Sequence, residues 1–98
     1  MGARHFSVTQ EVDGTYVLGG ELTIHDLDYL KDFLESSTER ASRLTLSLAE
    51  VSFIDTASLQ FLIAFKRWMG KEKVLTIKAV SPEVEKILTV SGLHGQLL

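Results

Sequence analysis

Apolar and polar residues alternate at the start of the chain, where Phe6, Val8 and Val12 are interleaved with Ser7 and Thr9 and only Gln10 breaks the rhythm. A period of two places one set of side chains on one face of a strand. Asp13-Gly14 is a turn signal, and Tyr16-Val17-Leu18 resumes the apolar run as far as Gly19-Gly20-Glu21-Leu22, which together predict a hairpin. The period then lengthens. Leu27, Leu30, Phe33 and Leu34 recur at helical spacing, with Asp28, Lys31, Asp32 and Glu35 between them. Thr23-Ile24-His25-Asp26 fits a capping-box variant at the start of this helix, Asp26, Asp28 and Asp32 read as its solvated face, and Ser36-Ser37-Thr38 as its end.

In the second half, Leu44, Leu46 and Leu48 alternate with Thr45 and Ser47, and the strand continues toward Val51 and Phe53-Ile54. A helix follows from Asp55-Thr56 to about Met69-Gly70, and Val74 to Val80 is apolar enough for an interior strand. Ser81-Pro82-Glu83 combines a cap, a first-turn proline and an acid, and Val84, Ile87, Leu88 and Ser91 line one face of the helix that runs to Gly92. The order β-β-α-β-α-β-α predicts an α/β fold with a mixed sheet of about four strands and helices chiefly on one face. The expected core is Leu44, Leu46, Leu48, Leu59, Leu62, Ile63, Leu75 and Ile77, where the two periodicities meet.

The helix after Ile54 stands out. Only Thr56, Gln60 and Arg67 form a polar strip; Leu59, Leu62, Ile63 and Met69 cover one side, and Ala57, Phe61, Ala64, Phe65 and Trp68 cover another. A helix lying on a sheet needs one apolar stripe. The second stripe is either core, with Trp68 at its edge, or part of a surface that a partner covers. At the helix start, Asp55, Thr56 and Ser58 supply side-chain acceptors for the free N–H groups of the first turn. A hydroxyl at the same place could also carry a phosphate, because the positive end of the helix dipole favours a nearby dianion.

Composition narrows the chemistry. The 98 residues are 45% hydrophobic and 23% charged, with one proline, which suits a single folded domain over residues 1–98 and excludes a low-complexity tail. There is no cysteine, so disulfides, thiolate zinc sites and cysteine nucleophiles are excluded. Net charge is −3, which argues against nucleic acid as a partner; Lys66, Arg67, Lys71 and Lys73 around Trp68 are better read as cations complementing a helix C-terminus. His5, His25 and His94 have no ligand spacing, so no metal and no cofactor are expected. No phosphate-binding glycine loop and no nucleophile elbow occurs. Residues 1–5 begin no leader, and the longest apolar run, Phe61 to Phe65, is far too short to insert in a membrane; a cytoplasmic location is the expectation.

Ser52-Phe53-Ile54-Asp55-Thr56-Ala57-Ser58-Leu59, after the strand Leu44 to Leu48, resembles the signature of STAS domains, the anti-sigma factor antagonists and their relatives. Gly20-Glu21-Leu22 resembles the family's segment before its first helix, and Val84 to Leu93 its last helix. The resemblance spans nearly the whole chain in the same element order. It implies a non-enzymatic regulatory module that switches protein partners by phosphorylation. By this resemblance Thr56 is the acceptor, with Asp55 beside it and the Ala57–Ser58 turn in the contact surface; Ser58 is the rival acceptor, and the stripe of Phe61, Phe65 and Trp68 extends the expected partner surface along the helix. The implied partners are a serine kinase that doubles as anti-sigma factor, and a phosphatase. Thr56 stands where serine is commoner, Ser58 where the motif has glycine, and Thr23 where an aspartate is frequent. Some members of the family are unphosphorylated, fixed adaptor subunits, one of them in a lipid-transport ABC system; the alternative function is such a constitutive subunit, bound to the ATPase of an ABC lipid transporter or in a sensory complex.

Overall fold

The computed structural model describes residues 5–70 and 72–98; residues 1–4, read above for a leader, and Lys71, counted among the helix-end cations, lie outside them. Strands β1 (Phe6–Gln10) and β2 (Tyr16–Leu22) form the hairpin. A 3-10 turn (Ile24–Asp26) leads into α1 (Leu27–Arg40), followed by β3 (Arg43–Ile54), α2 (Thr56–Met69), β4 (Val74–Val80), α3 (Pro82–Ser91) and α4 (His94–Leu97). The strands lie in the order β1-β2-β3-β4, antiparallel between β1 and β2 and parallel thereafter. This is the expected α/β architecture with a four-stranded mixed sheet. The 3-10 turn and helix α4 are additions to the expected order.

The helices share a face for a topological reason. The connections β2-α1-β3 and β3-α2-β4 step the same way across the sheet, and right-handed crossovers in one direction fall on one side. The register agrees: Leu44 pairs with Leu75 and Leu46 with Ile77, so these side chains stack on the helix side. All eight expected core residues are buried, together with Leu18, Leu30, Leu34, Val84 and Leu88. Each fully buried leucine contributes up to about 1.5–3 kcal/mol. On the other face Ser7, Thr9, Thr76 and Lys78 meet solvent. Register shifts beyond Leu46 and Val17 reset the alternation, so Val51 and Ile54 turn inward while Phe53 turns out.

Three local expectations are corrected. The capping box at Thr23 is not made: neither Thr23 nor Asp26 caps a helix with its side chain. Asp26 is buried, not solvated, because its carboxylate accepts the backbone N–H of His5 at 2.7 Å and lies 3.0 Å from the His5 ring. These bonds, the backbone one first, hold its pKa below the ordinary carboxylate value. Helix α1 also runs past Ser36-Ser37-Thr38 to Arg40, since Ser37 and Thr38 pack inward and the Thr38 hydroxyl donates to the Leu34 carbonyl.

The start of α3 is as predicted. Ser81 Oγ accepts the N–H of Val84 at 3.2 Å and donates to the Val51 carbonyl at 2.6 Å, so the cap also anchors the helix to β3. Gly20 serves the opposite end of the hairpin. Its φ is +88°, and a Cβ there would sit 2.5 Å from the His5 carbonyl oxygen, so only glycine fits.

Candidate partner-binding site

The chain turns sharply between β3 and α2, and Asp55 organises the turn. As N-cap of α2 it has extended backbone, and its Oδ1 accepts the N–H of Ser58 at 2.8 Å. Its Oδ2 accepts the N–H of Ile24 at 2.8 Å, and its own N–H donates to the Leu22 carbonyl at 3.0 Å. One carboxylate therefore joins the start of α2 to the end of β2 and the 3-10 turn. Partial burial pushes the Asp55 pKa up, but the N–H groups of Ser58 and Ile24 outweigh it and hold the carboxyl below its ordinary value.

Thr56 is the first residue of α2 and is exposed; Ala57 is half-buried. Ser58, expected in the contact surface and as alternative phosphoacceptor, is at 0% exposure and its hydroxyl has no hydrogen-bond partner. The turn of helix that lifts Thr56 outward rotates the residue two places on toward the sheet. Ser58 therefore offers no accessible hydroxyl in this structure. Two residues that the sequence reading did not place in the partner surface lie beside Asp55: Ile24, whose N–H it holds, and Phe53, two residues earlier on β3. Both leave large apolar side chains exposed. Alternation along the strand carries the signal for Phe53, whereas Ile24 is located only by the tertiary bond.

The aromatic stripe divides. Phe65 is core, at 7% exposure, Phe61 is half-buried, and Trp68 stands out at 69%. The rings form a chain, Phe61–Phe65 centroids 6.0 Å apart and Phe65–Trp68 5.3 Å. With Ala64 of α2 and Lys31 and Glu35 of α1 they line a groove of about 320 Å³ between the two helices. At 3.6 residues per turn, Phe61 and Phe65 point about 140° and about 180° away from Thr56. The turn at Asp55 and the groove at Trp68 are thus separate features of one helix.

The remaining candidate chemistry is occupied by the fold. Lys66 donates to the Leu97 carbonyl at 2.7 Å, Arg67 to the Gln96 side chain at 2.7 Å, and Lys73 to the Thr38 carbonyl at 2.7 Å. His94 lies 3.1 Å from the Glu85 carboxylate. Among the described residues no cluster of histidine, aspartate and glutamate could hold a metal ion, and no helix is long and apolar enough to cross a membrane.

Two solved structures share this fold. An anti-sigma factor antagonist from Mycobacterium paratuberculosis superposes with a TM-score of 0.75 at 19% identity, over 94% of this chain and 80% of its own. The anti-sigma factor antagonist SpoIIAA in its unphosphorylated form superposes with a TM-score of 0.68 at 20% identity, over 95% and 85%. Identities this low show a common fold. No curated protein matches the sequence significantly. The family model described as "Mlab, STAS domain" matches residues 7–98, which takes in every strand but the first residue of β1, the Asp55 turn and all the helices; the chain belongs to the STAS domain family.

Proposed function

We propose that this domain is a protein-binding regulatory module of the anti-sigma factor antagonist kind, not an enzyme, which changes partners when Thr56 is phosphorylated. The observation that carries this reading is the division of labour at the turn. Asp55 is fully engaged in holding backbone, Ser58 is buried, and Thr56 alone presents an exposed hydroxyl at the start of α2. Exposed Ile24 and Phe53 flank it with apolar surface suited to a partner. A phosphate on Thr56 would add about −1.5 to −2 charges, which the helix N-terminus tolerates within the domain. Against an apolar or acidic partner the same dianion has to be desolvated, and each ~1.4 kcal/mol lost weakens binding tenfold. The partner is a serine kinase acting as anti-sigma factor, opposed by a phosphatase, in the cytoplasm.

The description of the matching family model supports a second reading, in which the domain is a constitutive, unphosphorylated adaptor on the ATPase of an ABC lipid transporter or on a sensory complex. One experiment separates the two. Wild type, Thr56→Ala and Thr56→Glu are used as bait, and the phosphosite is mapped after incubation with the captured kinase. A switch predicts capture of the kinase, modification at Thr56 and loss of binding in Thr56→Glu. Equal capture of a transporter ATPase by all three proteins, without modification, establishes the adaptor and removes the switch.

A further inference from the structure

The α2 wall of the groove between α1 and α2 is Phe61, Ala64, Phe65 and Trp68. These positions follow the i, i+3, i+4, i+7 spacing of a helix–helix seam, with small Ala64 as the hole between three rings. Phe61 is half-buried and Trp68 stands in water, so the seam is open on its outer side. The opposite lip is acidic. Along α1, Asp28, Asp32, Glu35 and Glu39 succeed one another at intervals of four, three and four residues. On a helix that spacing gathers them within about 60°, in a stripe about 16 Å long. Glu35 belongs to both features: it lines the groove and is half-buried, while the other three are exposed. Among the described residues none of the four takes part in an ion pair. Nearby cations leave them uncompensated. Lys31 lines the groove, but Arg40 turns toward the hairpin side of α1. Lys73 ends on the Thr38 carbonyl, and Lys66 and Arg67 on residues of α4.

We propose that this groove receives a basic amphipathic helix of a partner protein, its apolar face on Phe61, Ala64 and Trp68 and its lysines or arginines over the acidic stripe. The seam selects a helix, because an extended segment presents side chains with a period of two and does not match it. Charge selects a basic one. Four carboxylates against the single ammonium of Lys31 leave the lip negative. Glu35, partly withdrawn from water beside an apolar wall and lacking a counter-ion, gains most from an incoming cation. A second copy of this chain, set groove to groove, brings two acidic stripes to one interface, and that repulsion disfavours it. Because Phe61 and Phe65 face away from Thr56, the helix is held whatever the phosphorylation state of the switch.

The probe is a synthetic helical peptide of about 15 residues, with leucine at i, i+3, i+4 and i+7 and lysine on the flanking positions. Its control carries glutamate in place of lysine. Calorimetry with the full chain at ~0.15 M salt should give a Kd of about 10–100 µM for the lysine peptide, and at least about tenfold weaker binding for the control. Amide NMR shifts should centre on Lys31, Glu35, Ala64 and Trp68 and leave Ile24 and Thr56 unmoved. Trp68→Ala should weaken binding about tenfold, and Asp32→Asn combined with Glu35→Gln by a similar factor. Failure to bind, equal binding of the glutamate peptide, or affinity that survives both sets of substitutions overturns the proposal. Shifts centred on the Asp55 turn overturn it as well. So does sedimentation showing that the free chain dimerises through Trp68, which would give the groove to a second copy.

Discussion

The carboxylate of Asp55 accepts the backbone N–H of Ile24 at 2.8 Å, across 31 residues of chain, while its second oxygen caps α2 through Ser58. A motif that looks local in the sequence is therefore a tertiary fastening. It fixes the 3-10 turn against the start of α2 and brings the backbone of Ile24 to the residue that precedes Thr56.

Loss of that fastening should be measurable. Asp55→Ala removes a helix cap and a second charged hydrogen bond, and should cost about 1–3 kcal/mol in urea unfolding. The amide of Ile24 should also lose hydrogen-exchange protection. Unchanged stability together with full protection of Ile24 would show that the bond contributes nothing.

The acid limb of stability carries the same signature. The pKa values of Asp13, Asp26 and Asp55 all lie below the ordinary 3.8 in the folded state. Below 3.8 the unfolded chain therefore binds protons that the folded chain does not, so stability is full above that value and falls as pH drops through the lower folded ones. Urea midpoints measured from pH 6 down to pH 2 should decline along this limb, and Asp55→Asn should decline less steeply than wild type. An identical slope in the variant would place the acid sensitivity elsewhere.

Gly20→Ala tests the hairpin. The substitution forces a positive φ on a residue with a side chain and drives its Cβ onto the His5 carbonyl. A loss of about 2–4 kcal/mol is expected, most of it from strain and displaced backbone. Release of His5 should also free Asp26, so the pKa of Asp26 should rise toward its ordinary value in an NMR titration.

The divided stripe makes a paired prediction. Phe65→Ala should destabilise by about 3–5 kcal/mol, as core truncations do, and Trp68→Ala by less than about 1 kcal/mol. Trp68 is the one tryptophan of the chain, so its fluorescence should be readily quenched by acrylamide. Shielding from the quencher in a complex would show that the partner reaches the groove; quenching as free as in the isolated domain would confine the contact to the Asp55 turn.

Ser58→Ala should leave stability unchanged or slightly higher, since the buried hydroxyl bonds nothing and its removal relieves an unmatched polar group. Phosphorylation at Thr56 should persist in that variant and vanish in Thr56→Ala. Modification that disappears with Ser58 instead would require the start of α2 to unfold for the kinase.

What the sequence by itself determined are the features written within a few residues of one another. Period-two and helical spacing located four strands and three helices, Ser81-Pro82 and Asp55 announced two helix starts, and the meeting of both periods named the core correctly. Local spacing suffices there because backbone hydrogen bonding and one-sided burial are set by near neighbours. The tertiary structure decided what depends on distant partners. Asp26 became buried because His5 reaches it, Ser58 because the sheet lies beneath it, and Ile24 joined the site through a bond from Asp55. The two features of α2 parted because α1 packs beside the aromatic face and takes Phe65 into the core while Trp68 stays in water. Burial is a property of what packs against a residue, and no pattern along the chain records the identity of that neighbour.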